Sequence, residues 1–192
     1  MKTIRTERLR LEPVRPENSA VLWKVLQAPG LRDFQDLPTV DAAQFRRTVA
    51  GRPPNLTPRA VGRFEWLIYF EAPAEREPLG WVSLRIADRA PTNAEIGYSV
   101  VGERRGQGVA TEAVAAILIE AFETARLRTV KAYCMPDNAP SRQVLARNGF
   151  EDEGMMPSGA TVAGRAVDIL GHSLERTRWE TMRAKAVTRK LA

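Results

Sequence analysis

Between the apolar run Glu95-Ile96-Gly97-Tyr98-Ser99-Val100-Val101 and a long helical pattern, the chain reads Arg105-Gly106-Gln107-Gly108-Val109-Ala110, and this junction constrains the fold more than any other segment. β-Branched and aromatic residues make the first run a strand, closed by Gly102-Glu103. Apolar Val109, Ala113, Ala116, Ile117 and Phe122 recur mostly at spacings of three and four, which makes the second segment a helix reaching to Ala125. The glycines therefore occupy a strand-to-helix turn. Gly106 and Gly108 let the backbone approach a ligand. The first helical N–H groups have no intrahelical partner and lie at the positive end of the dipole, so the turn favours an anion. Tight strand-to-helix packing is the plainer alternative. No Lys-Ser or Lys-Thr follows the glycines as a P-loop requires, and Thr111 stands where a dinucleotide-binding turn has its third glycine.

A length of 192 residues suits one well-packed domain, and no composition shift divides it, so residues 1–192 are expected to form a single unit with a basic helix or tail at 175–192. The chain holds no apolar run long enough to cross a membrane, and Met1 to Arg10 lacks the apolar stretch of a signal peptide. The lone Cys134 has no partner for an internal disulfide, and one histidine makes no metal cluster. A cytoplasmic, metal-free protein with no membrane partner is expected. The net charge of +6 is concentrated at the end, where Arg176, Arg178, Arg183, Lys185, Arg189 and Lys190 stand against Glu175 and Glu180. A solvated helix accounts for that run, and contact with the ribosome or RNA is the other reading.

The segment Arg105 to Ala110, read as R-x-x-G-x-A, resembles the pyrophosphate-binding signature of the GNAT N-acetyltransferase superfamily, whose members bind acetyl-CoA. Asn138 to Phe150 is similar to the N-x-x-S-x-x-x-L-x-x-x-G-F block of the same superfamily. In physical terms Asn138 caps a helix whose Val144 and Leu145 face a core, and Gly149 stops it in a left-handed turn. A well-capped helix alone would explain these positions, but not the occurrence of both blocks in this order. The opening Thr6-Glu7-Arg8-Leu9-Arg10-Leu11-Glu12-Pro13 resembles that of the RimJ/RimL-type branch, whose known members acetylate ribosomal-protein N-termini.

The order of elements predicts a strand at 8–14, then helices near 19–27 and 41–50, then strands at 64–70, 79–86 and up to Val101, with a turn through Asp88 to Asn93. After the long helix come a strand ending at Cys134, the helix from Asn138, and strands near 150–156 and 165–174. This is an α+β layout with a mixed, mostly antiparallel sheet and one parallel crossover. The Pro-rich segment Gly51 to Arg63 reads as a loop. The resemblance implies the acyl-CoA N-acyltransferase fold, in which the two central strands splay apart and helices flank the sheet. Their free edges then pair with the pantetheine amides as a peptide would.

The resemblance also implies roles. Acetyl-CoA is the expected cosubstrate, held by Ser99, Val100 and Val101, by Arg105, Gly106, Gln107, Gly108, Val109 and Ala110, and by Asn138 and Ser141. Glu95 matches the carboxylate that serves as general base in the superfamily's histone acetyltransferases, and a solvated strand glutamate is the alternative. A backbone N–H near Ser99 or Val100 would meet the oxyanion. Ser141 corresponds to the serine nearest the sulfur, the proton donor to the thiolate, or else it is a helix-cap residue. Leu145 stands where many acetyltransferases carry a tyrosine. Covalent catalysis by Cys134 carries little weight because no histidine is near it in sequence. Trp23, Phe34, Phe45 and Trp81 are candidate walls of an acceptor pocket. The expected activity is acetyl transfer to a primary amine, on a protein N-terminus or a small molecule, by direct attack in a ternary complex, with the protein a monomer or homodimer. A noncatalytic acyl-CoA-binding or ribosome-associated domain of the same fold is the rival.

Overall fold

Strand runs and amphipathic helices settle into one sheet with helices on both faces. The computed structural model describes residues 1–29, 31, 40–71, 77–87 and 92–191, with side chains to residue 186. In chain order the elements are β1 (Ile4–Arg5), β2 (Leu9–Pro13), α1 (Ser19–Leu26), α2 (Ala42–Ala50), β3 (Gly62–Phe70), β4 (Gly80–Ile86) and β5 (Asn93–Val100). There follow α3 (Val109–Ile119), β6 (Thr129–Cys134), α4 (Ala139–Arg147), β7 (Glu151–Val162), β8 (Arg165–Glu175) and α5 (Arg176–Leu191). The sheet order is β1-β2-β3-β4-β5-β6-β8-β7. β5 and β6 are parallel, as a crossover through α3 requires, and the other neighbours are antiparallel. The α+β class and mixed sheet expected from the sequence are therefore observed.

Alternation along the strands builds a core on each face. Phe64, Trp66 and Ile68 of β3 pack with Ile96 of β5 against Val114, Ile117 and Phe122 behind the sheet. Leu67, Tyr69 and Trp81 pack on the opposite face with Leu22 and Val25 of α1 and Phe45 and Val49 of α2. Phe45 and Trp81 are thus buried core residues rather than walls of an acceptor pocket, because they join one cluster with α1 and β3 between the early helices and the sheet. Trp23 is half-buried and donates from its indole to Val40 O at 3.0 Å. Phe34 and residues 88–91 of the expected 88–93 turn lie outside the described residues.

Three elements differ from the sequence reading. β1 was not expected, since two residues carry no periodicity. β7 runs on to Val162, past the expected end at Met156, because it pairs with β8 in a long hairpin arm with register shifts at 152/154 and 156/160. Its residues are nearly all exposed, so hydrophobic alternation could not mark its end. The basic end of the chain begins as a docked helix: Trp179 is buried with its ring 5.0 Å from Phe122. Arg176 donates to Leu127 O at 2.9 Å, Arg178 to Gly149 O at 2.8 Å, and Arg183 pairs with Glu123. The Pro-rich segment carries no helix or strand before Gly62, as expected.

Candidate active site

β5 and β6 are paired only at Asn93/Thr129, Ala94/Val130 and Glu95/Lys131, after which β6 continues against β8 and β5 against β4. The two strands therefore part in a V whose closed end is Glu95. Backbone alternation fixes what the V receives. The Val101 N–H donates to Leu79 O at 2.9 Å on the β4 side, so Val100, one residue back, turns its N–H and C=O into the gap. Ser99 turns toward β4, with its carbonyl oxygen 2.0 Å from where a Cβ on Gly80 would stand. Of the two backbone donors open in the sequence reading, Val100 faces the cleft.

A cavity of about 300 Å³ opens along the V, bounded by β5, the turn before α3 and the start of α4. Ser99, Val100, Arg105, Gly106, Gly108, Val109, Ala110, Asn138 and Ser141 all border it, as do Arg104 and Arg147, which sequence reasoning did not single out. Val101 and Gln107 do not border it. Gly106 and Gly108 have φ of +76° and +78°, a conformation that non-glycine residues rarely adopt. The first α3 N–H to bond back is that of Glu112, to Gly108 O at 3.0 Å. Gly108, Val109, Ala110 and Thr111, whose N–H groups precede it, all border the cavity, at the positive end of the helix that favours an anion. Arg105 donates to Val100 O at 3.0 Å and ties the turn to the end of β5.

The turn is held from the far edge of the sheet. Arg8, at the β1–β2 turn, donates to Gln107 O at 3.1 Å and to Glu112 Oε2 at 2.7 Å, while Thr6 donates to Glu112 Oε1 at 2.6 Å. Burial raises the Glu112 carboxyl, but the bonds from Thr6 and Arg8 outweigh it and hold the group below its usual range. These contacts therefore stabilise the fold above the unfolded carboxyl range and fade as pH falls through the folded one. Arg8→Ala is expected to weaken coenzyme A binding about threefold to tenfold without touching the ligand, because one charge-assisted bond on a half-exposed arginine is worth about 1 kcal/mol. Calorimetric titration checks this; unchanged affinity would mean that the turn holds its shape unaided.

At the middle of the V, Asn138 Oδ1 accepts from the Ser141 N–H at 3.1 Å and caps α4, and Gly149, at φ +83°, ends it. Leu145 is fully buried in the core. Tyr98, on β5, reaches across to α4 with its Oη 2.9 Å from Ser141 Oγ and 3.2 Å from Ser141 O. Burial pushes the Tyr98 phenol above its ordinary range, so it stays neutral. Burial pushes the Cys134 thiol up more than Ser141 and Arg142 draw it down, which leaves it a poor nucleophile at neutral pH. Glu95 lies on the opposite face of β5 from Tyr98, at the throat of the V, in an ion pair with Arg85 of β4. It is partly exposed and does not border the coenzyme-side cavity. Tyr98 and Arg8 were missed as site residues because their partners are 43 and 104 residues away.

Among the described residues no group of histidine, cysteine and acidic side chains could hold a metal ion, and no helix is long and apolar enough to cross a membrane.

Comparison with known proteins agrees with this geometry. Residues 8–151 match the family model described as an acetyltransferase (GNAT) domain. The chain is 27% identical over 175 residues to the uncharacterized N-acetyltransferase p20 of Bacillus licheniformis, covering 91% of this chain and 96% of that one. It is 32% identical over 111 residues to the ribosomal-protein-serine acetyltransferase of Escherichia coli, covering 58% of this chain and 59% of the enzyme. In fold it is similar to RimL, the ribosomal L7/L12 α-N-protein acetyltransferase, solved with coenzyme A disulfide-bonded to one of its cysteines: the TM-score is 0.75 at 20% identity, over 91% of this chain and 98% of that one. The family match extends from the Arg8 clamp through the glycine turn and past the end of α4, and the chain belongs to the GNAT acetyltransferase family.

Proposed function

We propose that this protein transfers the acetyl group of acetyl-CoA to a primary amine, with the amine attacking directly while both substrates are bound. The observation that carries the reading is the V between β5 and β6, with an anion-receiving turn at its open end and Ser141 at its middle. The residues fit a coenzyme: two left-handed glycines shape the turn, and Arg104, Arg105 and Arg147 border the same cavity. The thioester supplies the acetyl group. The N–H groups from Gly106 to Ala110 bind the pyrophosphate, the Val100 N–H meets the carbonyl oxygen as charge develops on it, and Ser141 donates a proton to the departing sulfur. Glu95 takes the proton from the incoming amine through a water, on the face of the sheet opposite Tyr98. The neutral Cys134 thiol supports direct attack over an acyl-cysteine route.

A protein N-terminus is the acceptor class favoured by the likeness to a ribosomal-protein-serine acetyltransferase. The rival reading of a noncatalytic ribosome-associated domain loses support from α5, whose Arg176, Arg178 and Arg183 are engaged within the protein. Mass spectrometry of a panel of peptides and small amines, incubated with acetyl-CoA and the pure protein, tests the reading; no acetylated product from any amine would remove it. Ser141→Ala is expected to lower turnover by about ten- to a hundredfold in a free-thiol assay while leaving coenzyme A affinity within about twofold. Undiminished turnover in that variant would return Ser141 to helix capping.

A further inference from the structure

The hydroxyl of Ser141 has one proton, and its contact with Tyr98 decides where it points. Tyr98 Oη stands 2.9 Å from Ser141 Oγ and 3.2 Å from the Ser141 carbonyl oxygen. Tyr98 also has a single proton. If it donates to the carbonyl, the short Oη–Oγ contact must be filled by the serine proton, which is then turned away from the cleft. If it donates to Oγ, the serine proton is released toward sulfur.

We propose that Tyr98 is a positioning residue for proton delivery: reaching across the V from β5 to α4, it donates to Ser141 Oγ and leaves the serine O–H aimed at sulfur. In the reaction that sulfur is the departing thiolate. The inference rests on Ser141 being the proton donor. When the carbon–sulfur bond breaks, its electron pair leaves with sulfur and the Ser141 proton passes to it; the proton that Glu95 takes from the amine passes on to solvent, which returns one to the serine. Tyr98 keeps its own proton throughout. Burial, which holds the phenol neutral, suits it to this donor role. The contact joins β5 to α4 beyond the point where β5 and β6 share hydrogen bonds, so the orientation is set by the cleft itself.

The experiment compares Tyr98→Phe, Ser141→Ala and the double variant with the parent protein for kcat, KM for acetyl-CoA and melting temperature. Phenylalanine keeps the ring in place. Tyr98→Phe is expected to lower kcat about tenfold with KM within about twofold, and the double variant to be no slower than Ser141→Ala alone, because both substitutions remove one device. Full turnover in Tyr98→Phe, or losses that multiply in the double variant, would overturn the proposal while leaving Ser141 as donor. A change confined to melting temperature and KM would likewise mean that the contact only braces the cleft. If Ser141→Ala alone is undiminished, the donor reading itself fails, and the two failures are told apart by that single variant.

Discussion

Gly108→Val is expected to raise the dissociation constant for coenzyme A by about a hundredfold, and in any case by more than about tenfold. Gly108 has φ +78°, and a Cβ there would stand 3.3 Å from Arg8 Nη2. A β-branched residue held in that region costs about 1–3 kcal/mol, so the turn would move to a conformation whose N–H groups no longer border the cavity, and the Arg8 clamp would be displaced with it. A tenfold change corresponds to about 1.4 kcal/mol, so strain and lost phosphate contacts together reach the expected range. Gly102→Ala is the control: Gly102 has nothing within 4 Å of its Cβ position, and affinity should be unaltered. Calorimetry that finds the same affinity for Gly108→Val and the parent protein would move the pyrophosphate away from this turn.

Glu95→Gln is expected to remove a factor of about a hundred or more from kcat at neutral pH, the usual scale for a general base, while coenzyme A affinity stays as it was. The carboxylate lies on the opposite face of β5 from Tyr98, at the point where pairing with β6 stops, and Arg85 keeps it in place. Both partners are partly exposed, so breaking their ion pair should cost the fold little. The loss should shrink as pH rises, because more of the amine then arrives neutral and needs no base. Turnover reduced equally across the pH range, or not reduced, would leave Glu95 as a strand residue paired with Arg85.

The parts of this site that the sequence made legible are those whose cause lies within a few residues. The Gly106 and Gly108 turn follows from left-handed backbone next to a helix start, and Asn138 and Gly149 bracket α4 by side-chain capping and left-handed termination. The α+β order of elements follows from local periodicity, and the parallel pairing of β5 and β6 from the handedness of a crossover. Where apolar pattern and burial disagree, local reading stops short: β7 runs exposed to Val162, and the basic run of α5 is anchored by Trp179.

The sequence by itself determined a strand, a glycine-shaped turn and a capped helix in an order that resembles one superfamily, because each depends on backbone preferences within a turn or two. Only the tertiary structure decided that Arg8 clamps the turn, that Val100 rather than Ser99 presents its N–H to the cleft, and that Tyr98 meets Ser141. It also put Phe45 and Trp81 in the core. These depend on sheet order and register, which join residues tens of positions apart, and a one-residue change of register would turn Tyr98, Val100 and Trp81 to the other side of their strands.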